Sequence, residues 1–193
     1  MAFARRILLS STLLVVILAC AAAADSQQQQ KKGADAEECV YTLYVRTGSV
    51  IKGGTDSKIG LTLGDSEGRQ VRIDDLEKWG GLMGSGHDYY ERGNLDVFSG
   101  RVPCGLSTPL CSLNLTSDGS GPHHGWYCEY VELTATGPHS RCHQSLFYIR
   151  QWLANDAPPY QLYAYIDGCE RALAREPGKP FVVGNRGGLA ASM

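Results

Sequence analysis

The sequence predicts an all-β domain, an antiparallel sandwich or barrel of about eight strands. Three observations carry this. Between Cys39 and Cys169, apolar and polar residues alternate in short runs, and a period of two means strands half-buried against one core. The runs are rich in β-branched and aromatic residues, which fit a pleated surface. Between them stand Gly, Pro, Asp and Asn, the residues that tight turns need.

Tyr41, Leu43 and Val45 mark the first run, Ile59, Leu61 and Leu63 the second, and Val71 and Ile73 the third. A helical turn at Asp74 to Trp79 is the one departure from strand pattern. Leu95-Asp96-Val97-Phe98 is a brief fourth run, and Leu113 with Leu115 a fifth. Tyr127, Val131 and Leu133 alternate with Glu129 as the exception; Phe147, Ile149 and Leu153 follow, then Leu162, Ala164 and Ile166. A chain of this length can bury a core of its own. Trp126 and Trp152 fall inside strands and are expected in that core. Glu170 to Met193 reads as a flexible tail.

The longest stretch without strand pattern runs from Trp79 to Asn94 and holds Gly80, Gly81, Gly84, Gly86 and Gly93. Long loops on a rigid scaffold tend to carry function. Trp79, Leu82 and Met83 on this loop are candidate membrane- or partner-touching residues, because aromatic and apolar side chains can enter a lipid interface. The competing expectation is that the loop folds back and Trp79 caps the core.

Arg5 and Arg6, the apolar run Ile7 to Ala19, and the small residues Cys20 to Ala24 form a secretory signature, residues 1–24. The run is too short for a comfortable membrane span. Residues 25–38, with Gln27 to Gln30 and Lys31-Lys32-Gly33, read as a disordered polar leader. The whole chain has 18 basic and 20 acidic residues. Without Arg5 and Arg6 the net charge falls near −4, which gives no electrostatic ground for a nucleic-acid partner. A soluble monomer in the endoplasmic reticulum or outside the cell is expected.

Removal of the signal also removes Cys20 and leaves Cys39, Cys104, Cys111, Cys128, Cys142 and Cys169. An even count in an exported chain reads as a disulfide framework, here three bridges with the connectivity open. A local Cys104–Cys111 bridge is one plausible pairing. No CxxC pair supports a zinc site. Asn114-Leu115-Thr116 is a glycosylation sequon. Calcium is the one cofactor considered, since hard cations want loop oxygens. Asp56 after Gly53-Gly54-Thr55, Asn94 and Asp96 at the end of the long loop, and Asp118 in Ser117-Asp118-Gly119 are its candidate ligands. Asp56 and Asp118 can equally be turn residues bonding their own backbone. Adjacent His123 and His124 would point to opposite faces of a strand, and neither GxSxG nor HExxH occurs, so no catalytic residue is assigned.

Several blocks resemble the PLAT domain, the sandwich module of lipoxygenases, polycystin and alpha-toxin. They are Cys39 to Gly48, the turn Gly53-Gly54-Thr55-Asp56, Tyr90 to Phe98, Trp126 to Val131, and Gln151-Trp152-Leu153. The cysteines, Trp79 to Met83 and Gly121 to Trp126 are closer still to plant stress-type single-PLAT proteins. The resemblance covers residues 39–169. It implies an eight-stranded antiparallel sandwich of two four-stranded sheets. It also implies binding to lipid or membrane surfaces or to protein partners, no catalysis, and a role in abiotic stress tolerance. Alternatives are a regulatory docking partner of a lipase or lipoxygenase, and a small hydrolase with an unrecognised site.

Overall fold

The computed structural model describes residues 37–138, 141–172 and 179–184. The expected signal peptide and most of the expected leader lie outside them. Among the described residues the chain runs β1 (Glu38–Thr47), β2 (Ile59–Gly64), β3 (Gln70–Ile73), α1 (Leu76–Gly80), β4 (Leu95–Pro103), β5 (Ser112–Ser117), β6 (Trp126–Thr136), β7 (His143–Leu153), β8 (Tyr163–Asp167), α2 (Cys169–Ala172) and β9 (Phe181–Gly184). Two sheets form, in the orders β4-β1-β6-β7-β9 and β3-β2-β5-β8. This is the predicted β-sandwich, with one sheet a strand wider than expected.

Period two in the sequence becomes inside and outside in the sheets. Tyr41, Leu43 and Val45 of β1, Leu61 and Leu63 of β2, Leu113 and Leu115 of β5, and Phe147 and Ile149 of β7 all face the core and are buried. The parity breaks once, in β6. Trp126 and Cys128 are buried, and so are Val131 and Leu133. A bulge between Cys128 and Tyr130 shifts the register, and the extra residue it inserts resets which side chains point inward. Glu129 is the sequence trace of that bulge. Trp126 is fully buried and donates its indole N–H to Thr47 Oγ1 at 3.0 Å.

Three expectations need correction. Trp152 is not a core residue: Leu153 takes the inward position, so Trp152 is half-buried on the outer face, edge-on to Tyr127 at 5.5 Å. Part of the expected flexible tail is ordered. Phe181 and Val183 are buried and β9 pairs in parallel with β7, Ser145 opposite Phe181. That run is too short to show a period, yet it closes the edge of the core. Among the described residues the disulfides are Cys39–Cys104 and Cys111–Cys169; a Cys104–Cys111 bridge and a third bridge do not form there. Cys128 is buried and Cys142 exposed, both as thiols. Cys128 lies opposite Gln151, whereas Cys142 precedes His143, which lies opposite Ala135. Eight residues of strand separate the two positions, roughly 25 Å, while a bridge needs Cα atoms within about 7 Å.

Candidate functional site

Antiparallel pairing sends four connections to one end of the sandwich. β1 and β5 end there, as does β7, while β4, β6 and β8 begin there. The segments 48–58, 81–94, 118–125 and 154–162 therefore meet. Hydrogen bonds lace them together. Thr55 N donates to Tyr90 O at 3.3 Å, Asp56 N to His123 O at 3.1 Å, and Tyr127 N to Gly53 O at 3.0 Å. Buried Thr55 and Ser57 donate their hydroxyls to His123 O (2.7 Å) and Ser120 O (2.6 Å). These hydroxyls tie the β1–β2 connection to the β5–β6 connection, and His123 O accepts from both Thr55 Oγ1 and Asp56 N.

A cleft of about 600 Å³ opens between these segments, lined by Lys52, Arg92, His123, His124, Trp152 and Asp156. His123 Nδ1 lies 2.9 Å from Asp56 Oδ2 and His124 Nε2 lies 3.6 Å from Asp156 Oδ2. Lys52 and Arg92 line the cleft together with Glu91, and neither cation forms an ion pair among the described residues. Beside the cleft, Ile51 projects from the β1–β2 connection with 79% of its surface exposed, and Tyr160 from the β7–β8 connection with 63% exposed.

The long loop is stapled down along its length. Leu82 N donates to Val97 O at 2.9 Å, adding a rung to the β4 edge. Met83 N donates to Tyr89 Oη at 3.0 Å. Asp96 is fully buried, accepting from Tyr90 N at 2.8 Å on one oxygen and facing His87 Nε2 at 2.7 Å on the other. Tyr90 and Tyr89 are buried against Phe98, and burial together with the Asp96 charge pushes the Tyr90 phenol well up. The Tyr90 hydroxyl has no hydrogen-bond partner among the described residues.

The expected membrane-touching trio is divided. Trp79 is half-buried and rests on Gly100, where a Cβ would lie 2.5 Å from Trp79 Cε2; only glycine admits the ring. Leu82 and Met83 are exposed, at the β4 edge. The expected calcium ligands are not brought together. Asp96 is closed off beneath the loop. Asn94 turns through its backbone, donating to Glu91 O and accepting from Thr47 N. Asp118 Oδ1 accepts from Lys58 N, Ser120 N and Ser120 Oγ. Partial burial opposes the Asp118 charge, but these bonds and the Lys58 charge outweigh it and hold the carboxyl below its ordinary value. Asp56 is engaged with His123. Among the described residues, no three His, Cys, Asp or Glu side chains are placed to hold a metal ion. Sequence reasoning missed Ile51, Lys52, Arg92 and Tyr160. The signal was Val50-Ile51-Lys52 inside a glycine-flanked turn, a place where apolar residues have no core to enter.

The model of the embryo-specific protein 3 family matches residues 24–157. PLAT domain-containing protein 2 of Arabidopsis thaliana is 54% identical over 145 residues, 75% of this chain and 79% of the relative. PLAT domain-containing protein 3 of the same plant is 59% identical over 105 residues, 54% of this chain and all of the relative. Among solved structures, coral 8R-lipoxygenase is similar at 19% identity and a TM-score of 0.43, over 60% of this chain and 16% of the lipoxygenase. Alpha toxin from Clostridium absonum is similar at 12% identity and a TM-score of 0.43, over 68% of this chain and 32% of the toxin. With matched family and relatives covering most of the chain, and two sheets packed face to face around one core, the chain belongs to the embryo-specific protein 3 family of PLAT-domain proteins.

Proposed function

We propose that the protein is a non-catalytic module of the secretory pathway that docks on lipid surfaces through its loop end, contributing to abiotic stress tolerance in a plant. The observation that carries this reading is Ile51, 79% exposed and followed directly by Lys52, whose ammonium has no carboxylate partner among the described residues. Tyr160 stands on the β7–β8 connection, and Arg92 lines the same cleft as Lys52. Burying an Ile side chain is worth about 1.5–3 kcal/mol, and each Lys or Arg near an anionic bilayer about 1 kcal/mol. These local terms work despite the net negative charge, since lipid contact depends on the charge facing the surface. Calcium is not needed for this contact, because the candidate oxygen ligands do not converge. Flotation with phosphatidylcholine/phosphatidylserine vesicles tests it: wild type should float and Ile51→Asp should not.

A second reading, docking on a protein such as a lipase- or lipoxygenase-type enzyme, is favoured by the outer face of the five-stranded sheet. Register places Val97, Tyr44, Glu132, Leu146 and Val182 in one row across all five strands. Tyr130 and Tyr148 meet edge-on beside it, with Arg150 over the Tyr148 ring at 4.4 Å. Aromatic and arginine side chains of this kind are enriched at protein interfaces. Wild type that fails to float on any vesicle would move this reading to first place.

A further inference from the structure

The outer face of the four-stranded sheet differs in chemistry from the other surfaces. Leu113 and Leu115 of β5 point inward and are buried, so Asn114 and Thr116 share the outward side, as alternation requires. Pairing sets Arg72, Thr62, Asn114 and Tyr165 in one row across the sheet, and Thr116 opposite Tyr163 in the next. Tyr165 and Tyr163 are 55% and 47% exposed on the edge strand β8. Arg72 Nη2 donates to Thr116 Oγ1 at 3.0 Å, and Thr116 Oγ1 donates to Gly60 O at 3.1 Å. Asn114 is the exception in this row. Its Oδ1 is enclosed and has no hydrogen-bond partner among the described residues.

We infer that Asn114 is an N-glycosylation site whose glycan lies on Tyr165 and Tyr163 and covers this face. The acceptor Asn114-Leu115-Thr116 is complete, and in an extended strand its amide and its hydroxyl stand on the same side. The transfer balances with a lipid-linked oligosaccharide diphosphate as donor. Asn114 Nδ2 forms a bond to C1 of the reducing-end N-acetylglucosamine, the C1–O bond to the lipid diphosphate breaks, the diphosphate leaves with that electron pair, and Nδ2 gives up one proton. Oδ1 remains turned to the sheet and Nδ2 to the sugar.

Directly opposite strand neighbours have Cβ atoms about 4.5–5.5 Å apart and diagonal ones about 7–8 Å. The first sugar on Asn114 is therefore within reach of the Tyr165 ring, and the next within reach of Tyr163. A sugar ring presents axial C–H groups that pack on an aromatic face, while its hydroxyls stay wet. Tyr165 Oη lies 3.3 Å from Asp167 Oδ2, which holds the ring along the strand. A glycan here also covers the face beside β8, the last strand of its sheet, and edge strands are the ones prone to pairing with other chains. Docking is thereby confined to the loop end and the five-stranded sheet. The inference requires only that the chain enter the secretory pathway, not that the loop end meet lipid.

The test is translation of the full chain with endoplasmic-reticulum microsomes, followed by protease protection and mass measurement before and after peptide-N-glycosidase. The expected result is a protected chain carrying one enzyme-removable oligosaccharide. Asn114→Gln and Thr116→Ala should lose it and Thr116→Ser should keep it. An unprotected chain, or a protected chain without the mass gain, overturns the inference. The tyrosine seat has its own readout. The glycosylated protein should melt a few degrees above Asn114→Gln, and Tyr165→Ala should remove most of that difference. A glycan-dependent shift that survives in Tyr165→Ala overturns the seat.

Discussion

Asp96→Ala is the sharpest probe of what fixes the functional end. Asp96 has no exposed surface and serves two groups at once, the Tyr90 N–H at 2.8 Å and the His87 ring at 2.7 Å. Hydrogen bonds to a charged group are worth about 1.5–3 kcal/mol each, and a buried donor left without an acceptor carries its full desolvation cost. The two losses are not fully additive, so the expected destabilisation is about 3–4 kcal/mol. For a domain of this size that lowers the melting temperature by roughly 10 °C. Asp96→Asn keeps one carbonyl oxygen for Tyr90 N and should lose only about 1 kcal/mol. Urea denaturation followed by tryptophan emission is the assay, since Trp126 packs edge-on to Tyr90 at 5.5 Å. The losses should be equal with chelator and with millimolar calcium, because Asp96 acts as a latch and not as a metal ligand. A loss under about 1 kcal/mol for Asp96→Ala, or one that appears only with calcium, refutes the reasoning.

Gly100→Ala drives a methyl into the Trp79 ring, with Cε2 at 2.5 Å, and should cost about 1–3 kcal/mol by overpacking; Trp79→Ala in the same background should recover part of it in a thermal-melt comparison. In protein lacking residues 1–24, and so Cys20, thiol titration should find one reactive group in the native state, Cys142, and a second, Cys128, only after unfolding without reductant; burial holds the Cys128 thiol pKa well up, so modification in the native state should be slow. Burial opposes the charge of Asp65, but hydrogen bonds from Ser107 N, Arg69 Nε, Arg69 N and Glu67 N outweigh it and keep its carboxyl below the ordinary value. A depressed folded value means that this stabilisation is present above about pH 4 and is lost as pH falls through the folded value. Asp65→Asn should therefore flatten the acid side of the stability profile, and an unchanged acid limb contradicts the assignment.

The sandwich was legible because its core positions repeat every second residue. Leu43, Leu61, Leu115 and Phe147 announce their faces without any knowledge of partners. What was hidden depends on more than one strand. The Cys128/Tyr130 bulge looks in the sequence only like a stray Glu129. Trp152 is turned outward by the unbroken alternation of β7, in which Phe147, Ile149 and Leu153 face the core; its size, not its position, suggested the core. Phe181-Val182-Val183 becomes a strand through β7, beyond the reach of a local period. Cysteine parity suggested three bridges, but pairing needs proximity that register denies to Cys128 and Cys142. At the functional end, acidic turn residues looked like ligands, yet Asp56 is bonded to His123 and Asp118 to Lys58 and Ser120 across the two facing connections, and Asp96 is buried beneath the long loop. Ile51 and Tyr160 carried the opposite signal, apolar side chains on short connections with nothing to cover them.

Vesicle flotation of the Ile51→Asp/Tyr160→Asp variant beside Leu82→Asp/Met83→Asp and wild type tests the central claim most directly. Circular dichroism should show all three folded, since each replaced residue is exposed. Loss of Ile51 burial alone removes about 1.5–3 kcal/mol, which lowers the partition by at least about tenfold. The account predicts that wild type floats with phosphatidylserine-containing vesicles, that the loop-end variant stays at the bottom, and that the β4-edge variant floats as wild type does. A loop-end variant that floats equally well, or a wild type that never floats, contradicts it.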